Sequence, residues 1–291
     1  MGKSLQIIGI GEILWDMLPE GKRLGGAPCN FVYHAQKLGA KAIIVSAVGD
    51  DKNGKEILHE LKTKNISIDF IQLNDKTTGT VDVFLNEQGL PNYTIHENVA
   101  WDYIGFNKII EEKVNEADVI CFGSLAQRNS ISRETIEKVL RCCNPQALIV
   151  CDINLRQHYY SLEIVENSLQ RCNVLKLNED ELPIVCHLLR LTEKSEMEQI
   201  KRLMIKYSLK LVAYTKGEKG SFLVTPSGKS FMSTPIVKVK DTVGAGDSFT
   251  ASMIVGFAKE NALKNIHQKA VEISAFVCTK NGAMPEYNNL N

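Results

Sequence analysis

The 291-residue chain has no CxxC pair, no apolar run of 18 residues and no excess of charge of either sign. Each absence excludes something. Lys plus Arg number 34 and Asp plus Glu number 34, so the formal net charge is zero. That balance argues against non-specific binding to nucleic acid or an anionic membrane. Without a long apolar run there is no membrane-crossing helix of ordinary length. The N-terminal stretch LQIIGIGEIL is too short, and too interrupted by glycine, for a secretory signal, so a cytoplasmic location is expected. The eight cysteines are scattered, and several lie inside apolar runs (VICFG, LIVCD), where cysteine behaves as a small hydrophobe. Reduced, buried thiols fit that pattern better than a zinc site does. The six histidines are equally dispersed, so no metal cluster is visible.

What is present is alternation. Short apolar runs at 5–10, 42–48, 118–123, 147–152, 173–177 and 211–215 read as strands buried on both faces. Helical patterns lie between them at 30–39, 53–65, 132–143 and 179–189. Such alternation implies βαβ crossovers and a mainly parallel sheet covered by helices. Two stretches break the rhythm. Residues 79–96 read as two strands around a polar turn with Gly89, and residues 12–27 as a short hairpin before the first helix. They suggest a small antiparallel flap over one end of the sheet, or else a pair of solvated surface hairpins. No repeat, low-complexity segment or linker divides the chain, so one domain with an appended lid is the simplest reading.

GDDKNGKE (49–56) nearly forms a Walker phosphate loop, with Gly49, Gly54 and Lys55 correctly spaced. Glu56 stands where a Mg²⁺-binding hydroxyl is needed, and Asp50 and Asp51 put negative charge inside the anion cradle. The stretch therefore reads as a βα turn with Asp51 or Asn53 capping the next helix. KDTVGAGDSF (240–249) is different. Residues 236–241 can be a strand, and 247–261 carry Phe249, Met253, Ile254 and Phe257 on one helical face. Gly244, Ala245 and Gly246 then fall at a helix N-terminus, where free N–H groups and the macrodipole favour an anion. Asp247 adds a carboxylate that can accept a proton from an attacking hydroxyl. The residues alone leave two readings open, a phosphate cradle with a base or a structural glycine turn with a capping aspartate.

DTVGAGDSF resembles the C-terminal signature of the PfkB (ribokinase-like) carbohydrate kinases, and GGAPCNFVYHAQKLGAKAIIVSAVGDDKNG (25–54) their N-terminal one. The resemblance runs from about residue 5 to 285, in order. It implies an α/β fold: a ribokinase-like three-layer αβα sandwich with a mainly parallel central sheet. A small antiparallel β lid from about 12–27 and 79–103 would complete a single domain over 1–291. It implies ATP and Mg²⁺, with Asp247 as catalytic base and the N–H groups of Gly244, Ala245 and Gly246 as anion hole. Asp16, Gly26 and Asn30 match sugar-binding positions, and Arg156 in DINLR matches an arginine near the sugar and phosphate path. Asn178 and Glu181 match the NxxE motif, one helical turn apart, with Glu181 near Mg²⁺ through water. Thr215, Gly217 and Gly220 match nucleotide-contacting positions, and Asn281 a loop beside adenine. Family members often carry a monovalent cation, K⁺ among them, near Asp241 and the carbonyl of Val243.

The lid stretch YTIHENVAWDYI (93–104) and the opening GEILWDMLPEG resemble those of fructokinases, which implies transfer to D-fructose to give the 6-phosphate. A 2-keto-3-deoxygluconate kinase is the competing reading. It needs a cationic or hydroxyl-rich contact for the substrate carboxylate, whereas the lid stretch VFLNEQGLPNYTIHENVAWD (83–102) has no arginine and only His96, with Arg128 on another loop. A sugar-binding regulator without catalysis would be expected to lose the base or the anion-hole glycines, and all are present. Exposed lid edges are candidate surfaces for a homodimer.

Overall fold

The computed structural model describes residues 4–85 and 91–287. In chain order the strands are β1 (Gln6–Ile10), β2 (Leu14–Leu18), β3 (Gly21–Gly25), β4 (Lys41–Gly49), β5 (Ile71–Asn74), β6 (Thr80–Leu85) and β7 (Pro91–Ile95). They continue with β8 (Val119–Phe122), β9 (Leu148–Asp152), β10 (Val174–Asn178), β11 (Leu211–Thr215), β12 (Ser221–Thr225) and β13 (Gly228–Met232). The helices are α1 (Ala27–Lys37), α2 (Lys52–Thr63), α3 (Lys108–Asn115), α4 (Ser130–Cys142) and α5 (Leu162–Arg171). They end with α6 (Glu181–Leu188), α7 (Glu196–Tyr207), α8 (Ala245–Ala258) and α9 (Leu263–Cys278). The polar turn expected around Gly89 lies outside the described residues.

Nine strands form one sheet in the order β13-β12-β11-β10-β9-β8-β1-β4-β5. From β5 to β11 every pair is parallel, and β12 and β13 add an antiparallel edge. Alternation along each strand explains the three layers. Ile8, Ile10, Ile120 and Phe122 face one apolar core with α3, α4, α5, α6 and α7. Ile7, Val119 and Cys121 face the other core with α1, α2, α8 and α9. A parallel strand between two helical layers must be apolar on both faces, which is why these runs are continuous. All eight cysteines are free thiols, most of them buried.

A second sheet of four strands, β3-β2-β6-β7, is the lid. It is antiparallel at both ends, while β2 and β6 at its centre run parallel because they come from separate hairpins. Its base rests on α2. The indole N–H of Trp15 donates to the Asn53 carbonyl (3.0 Å), and Lys22 binds Asn53 Oδ1 (2.8 Å) and pairs with Glu56. The Walker-like stretch thus carries the lid, and Asp51 caps α2 by accepting from Gly54 N (2.7 Å).

One expected strand is absent. Residues 236–241 are irregular, with Ile236 and Val239 exposed to solvent. They pair with no strand among the described residues, and the N–H groups of Lys240 and Asp241 go instead to the Cys278 carbonyl at the end of α9.

Asp51 also accepts from the Thr78 N–H (2.8 Å) and hydroxyl (2.7 Å), joining α2 to the segment entering β6. Asp51→Ala removes all three bonds and is expected to cost about 1–2 kcal/mol. In a thermal melt this is a Tm drop of about 3–6 °C. An unchanged melt would show that the cap is not needed.

Candidate active site

The parallel strands all deliver their C-terminal ends to the edge that the lid overhangs, where open α/β sheets bind ligands. Glu12 follows β1, Asp152 ends β9, Asn178 ends β10 and Thr215 ends β11. Asn178 and Thr215 are register partners, so the two nucleotide-binding candidates are side by side.

The glycine turn lies at the head of α8, as expected, with the helix beginning at Ala245. Gly244 is its N-cap at φ 80°, a conformation that favours glycine, and a Cβ there would sit 2.7 Å from Ala283. The Ala245 N–H turns back to the Thr242 carbonyl (3.2 Å). The N–H groups of Gly244, Gly246 and Asp247 have no partner among the described residues, leaving three donors for an anion. Ala245 therefore contributes less than its neighbours, and the Asp247 N–H joins the set.

Asp247 meets Asn30 from α1, whose Nδ2 donates to its Oδ2 (2.7 Å). The Asn30 Oδ1 is buried without a partner. Burial, then the charge of Asp152, pushes Asp247 up to about 6, against the Asn30 bond and the charges of Lys176 and Arg156. Asp16, on the lid, has no hydrogen-bond partner among the described residues, and its Oδ2 lies over Gly25, where a Cβ would approach to 2.5 Å. Burial also lifts Asp16 to about 6, offset by Arg156 and Arg23. Gly26 is the N-cap of α1 at φ 108°, with the Glu12 carbonyl only 2.4 Å from where a Cβ would stand. Arg156 is exposed, without an ion pair among the described residues, and its charge reaches Asp16, Glu12 and Asp247.

Glu181 is placed differently from an open metal ligand. Its two oxygens accept from Leu155 N (3.0 Å) and Asn178 N (2.8 Å), so it clamps the loop after β9 to the end of β10. Asn178 in turn accepts from Asp180 N and Glu181 N, both at 2.9 Å. Gly217 (φ 51°) and Gly220 (φ 105°) shape the β11–β12 turn, and the Gly217 carbonyl accepts from Thr234. Asn281 lines a cavity of about 900 Å³ bounded by Lys22, Lys52, Lys55, His59 and Lys64, which Asp247, Asn30 and Asp16 do not line. Asp241 is engaged by three N–H donors, among them the Arg23 guanidinium.

Two groups escaped the reading of the sequence, although each stands within a few residues of a motif position singled out there. Lys176, in KLNEDEL, is buried and pairs with Asp152 (2.9 Å), which also accepts from Thr250 (2.9 Å). A Cβ on Gly246 would sit 3.2 Å from the Lys176 ammonium, so a fixed cation lies directly beneath the free N–H groups. Burial opposes that charge, but Asp152, Glu181 and Asp247 hold it on, above the ordinary lysine value. Glu12, in GEILWD, accepts from Ala27 N (3.3 Å) with one oxygen, and its Oε2 is buried without a partner. A lone lysine or glutamate carries no period or spacing, so only the fold reveals that these face the turn.

Cation, free amides and a hydrogen-bonded carboxylate at one helix head form an arrangement for holding a phosphoryl group beside a base. Residues 20–289 match the pfkB family of carbohydrate kinases. The chain belongs to that family. The uncharacterized sugar kinase PH1459 of Pyrococcus horikoshii is 30% identical over 277 residues, covering 88% of this chain and 84% of its own. The crystal structure of that kinase gives a TM-score of 0.83 at 29% identity over 96% of this chain and 93% of its own, and another holds ATP. A fructokinase of Vibrio alginolyticus is 27% identical over 297 residues, covering 96% of this chain and 94% of its own. A Vibrio cholerae fructokinase with fructose, ADP and potassium bound shares the fold, with TM-score 0.79 at 21% identity. It covers 98% of this chain and 96% of its own. This pfkB-family kinase therefore has the ribokinase-like sandwich and lid that its sequence implied. No described helix is long and apolar enough to cross a membrane.

Burial, then the charge of Asp247, lifts Glu12 from 4.5 to about 7, despite its hydrogen bonds and Arg156. The folded state then holds a proton that the unfolded chain has released. Stability from this group is intact below about pH 4.5, falls through about pH 7, and is flat above, a loss on the order of 3 kcal/mol. Glu12→Gln should lack this decline. Urea unfolding at about pH 5 and pH 8 would show it as a decline steeper in wild type than in the variant, which keeps those of Asp16 and Asp247. Parallel slopes would mean that Glu12 ionises normally.

Proposed function

We infer that the protein transfers the γ-phosphoryl group of ATP to a hydroxyl of a ketose, D-fructose first among the candidates, giving the 6-phosphate. The observation that carries this reading is the Asn30–Asp247 contact at the head of α8, beside free amides and the Lys176 ammonium. Asn30 holds one oxygen of Asp247, leaving Oδ1 to take the hydroxyl's proton. Phosphoryl transfer leaves little covalent work to the protein, so a base near pH 6 that orients the alcohol is sufficient. The γ-phosphoryl sits on the N–H groups of Gly244, Gly246 and Asp247, with Lys176 and Arg156 meeting the charge it spreads. Asp16 and the orphaned Asn30 Oδ1 accept from sugar hydroxyls, which a polyol must satisfy when it is enclosed.

The nucleotide runs from this turn toward Asn178, Thr215, Gly217 and Gly220, with Asn281 the outermost contact. No three described His, Cys, Asp or Glu side chains form a cation cage. Mg²⁺ would be held mainly by the phosphates and water near Glu181, where it neutralises developing charge. The lid favours a neutral sugar over 2-keto-3-deoxygluconate. His96 is paired with Asp82 (2.8 Å), and Arg128 is locked on Asp102 (2.8 Å) between the rings of Trp101 and Tyr159. Neither is free for a substrate carboxylate. Met17 and Phe84, exposed on the lid face away from Asp16, support a homodimer through the lid.

The test is ADP release across fructose, 2-keto-3-deoxygluconate, ribose, tagatose and adenosine, with fructose expected to give the highest kcat/KM. Asp247→Ala should cut kcat roughly a thousandfold while fructose binding by calorimetry stays near normal. Because Asp247 must be ionised, kcat/KM should rise with pH to a plateau above about 6. Unchanged turnover in the variant would remove Asp247 from the chemistry.

A further inference from the structure

The resemblance places a monovalent cation at Asp241, yet this carboxylate is already engaged by three N–H donors. Its Oδ1 accepts from Val243 N (3.0 Å), and its Oδ2 from Gly282 N and Arg23 Nη1, both at 2.9 Å. A K⁺ ion needs oxygen ligands turned toward it, and here the carboxylate is turned toward nitrogen. It would also share that carboxylate with a guanidinium that is always charged. The residues present do not fit a bound cation.

Arg23 is not a chance surface partner. It lies on β3, in register with Asp16, so it faces inward with the sugar-binding candidate. Asp241 is 16% exposed and begins the turn that carries Gly244 and Gly246. Gly282, the other donor to Oδ2, adjoins Ala283, which packs on Gly244. One guanidinium therefore ties the lid hairpin to the anion-binding turn and to the 281–284 loop behind it.

We propose that Arg23 takes the place of the monovalent cation at Asp241 and positions the anion-binding turn, making the kinase independent of K⁺. This rests on the kinase reading above. Arg23 touches no reacting atom; it acts through Asp241 and the turn that follows. The same contact couples the lid to the phosphate site, because β3 and Asp241 are held by one side chain.

The test is the response to cations, read by activity and by melting temperature. At a constant ionic strength of about 0.1 M, wild type should show the same kcat in KCl, NaCl and choline chloride. Its Tm in the three salts should agree within about 1 °C. Arg23→Ala should lose about tenfold or more in kcat in choline, and recover part of it with K⁺ or guanidinium. Its Tm should now rise with K⁺. Arg23→Lys, which keeps the charge without the fork, should fall between the two and covers the case in which the alanine variant does not fold. Wild-type activity rising severalfold with K⁺ would overturn the proposal, as would variants whose kcat and Tm ignore the cation. Should no sugar be phosphorylated, the kinase reading fails on its own, and the Tm profile still reports on Arg23.

Discussion

The hydrogen bond from Asn30 to Asp247 joins α1 to α8 across 217 residues of sequence. Both residues sit at helix beginnings, one behind Gly26 and the other behind Gly244, each glycine held at positive φ against a neighbouring backbone. Neither glycine tolerates a side chain, since Glu12 O and Ala283 occupy the space. The two glycines thus fix how closely the helix heads approach each other, and that approach lets Asn30 reach Asp247. The rest of the site is arranged around this distance.

A second constraint lies beneath it. Lys176 and Asp152 are both buried, and a buried ion pair contributes little net stability while the loss of one partner costs several kcal/mol. Its value here is positional. Thr250 of α8 donates to the same Asp152, so the pair pins the helix to β9 and β10 and holds a cation below the free amides. Electrostatic work of this kind needs fixed charge in place before the substrate arrives.

Much of the sandwich was legible because strands buried on both faces announce themselves as unbroken apolar runs. The two hairpins were legible because they interrupt that rhythm. Other elements give weaker signals. α9 begins after Ala262 with no side-chain cap, and α5 relies on Ser161 at the close of an irregular loop. Residues 236–241 alternate like a strand, yet Ile236 and Val239 are exposed and the N–H groups at the end of the stretch go to α9. The site divides similarly. Gly244, Gly246, Asp247 and Asn30 stand in long ordered signatures, whereas Glu12, Lys176 and Arg23 matter through partners far away in sequence. Asp241 shows the limit best. Its motif implies a cation, but the cation it meets is a side chain 218 residues earlier.

The charge balance of the pocket links these observations. Glu12, Asp16, Asp152, Glu181 and Asp247 face Lys176, Arg156 and Arg23, so carboxylates outnumber fixed cations. Burial is the main cause that lifts Glu12, Asp16 and Asp247 well above ordinary carboxylate values, and a neighbouring carboxylate adds to it in each case. On the reading proposed above, a triphosphate entering such a pocket adds more negative charge than three side-chain cations can offset. The nucleotide must therefore carry its own counter-charge, which argues for a divalent ion brought on the phosphates and against a cage built by the protein. On that reading, a neutral sugar meets no such barrier and needs only acceptors such as Asp16 and Asn30. On the same reading an acidic sugar does meet it, because its carboxylate adds to those already in the pocket.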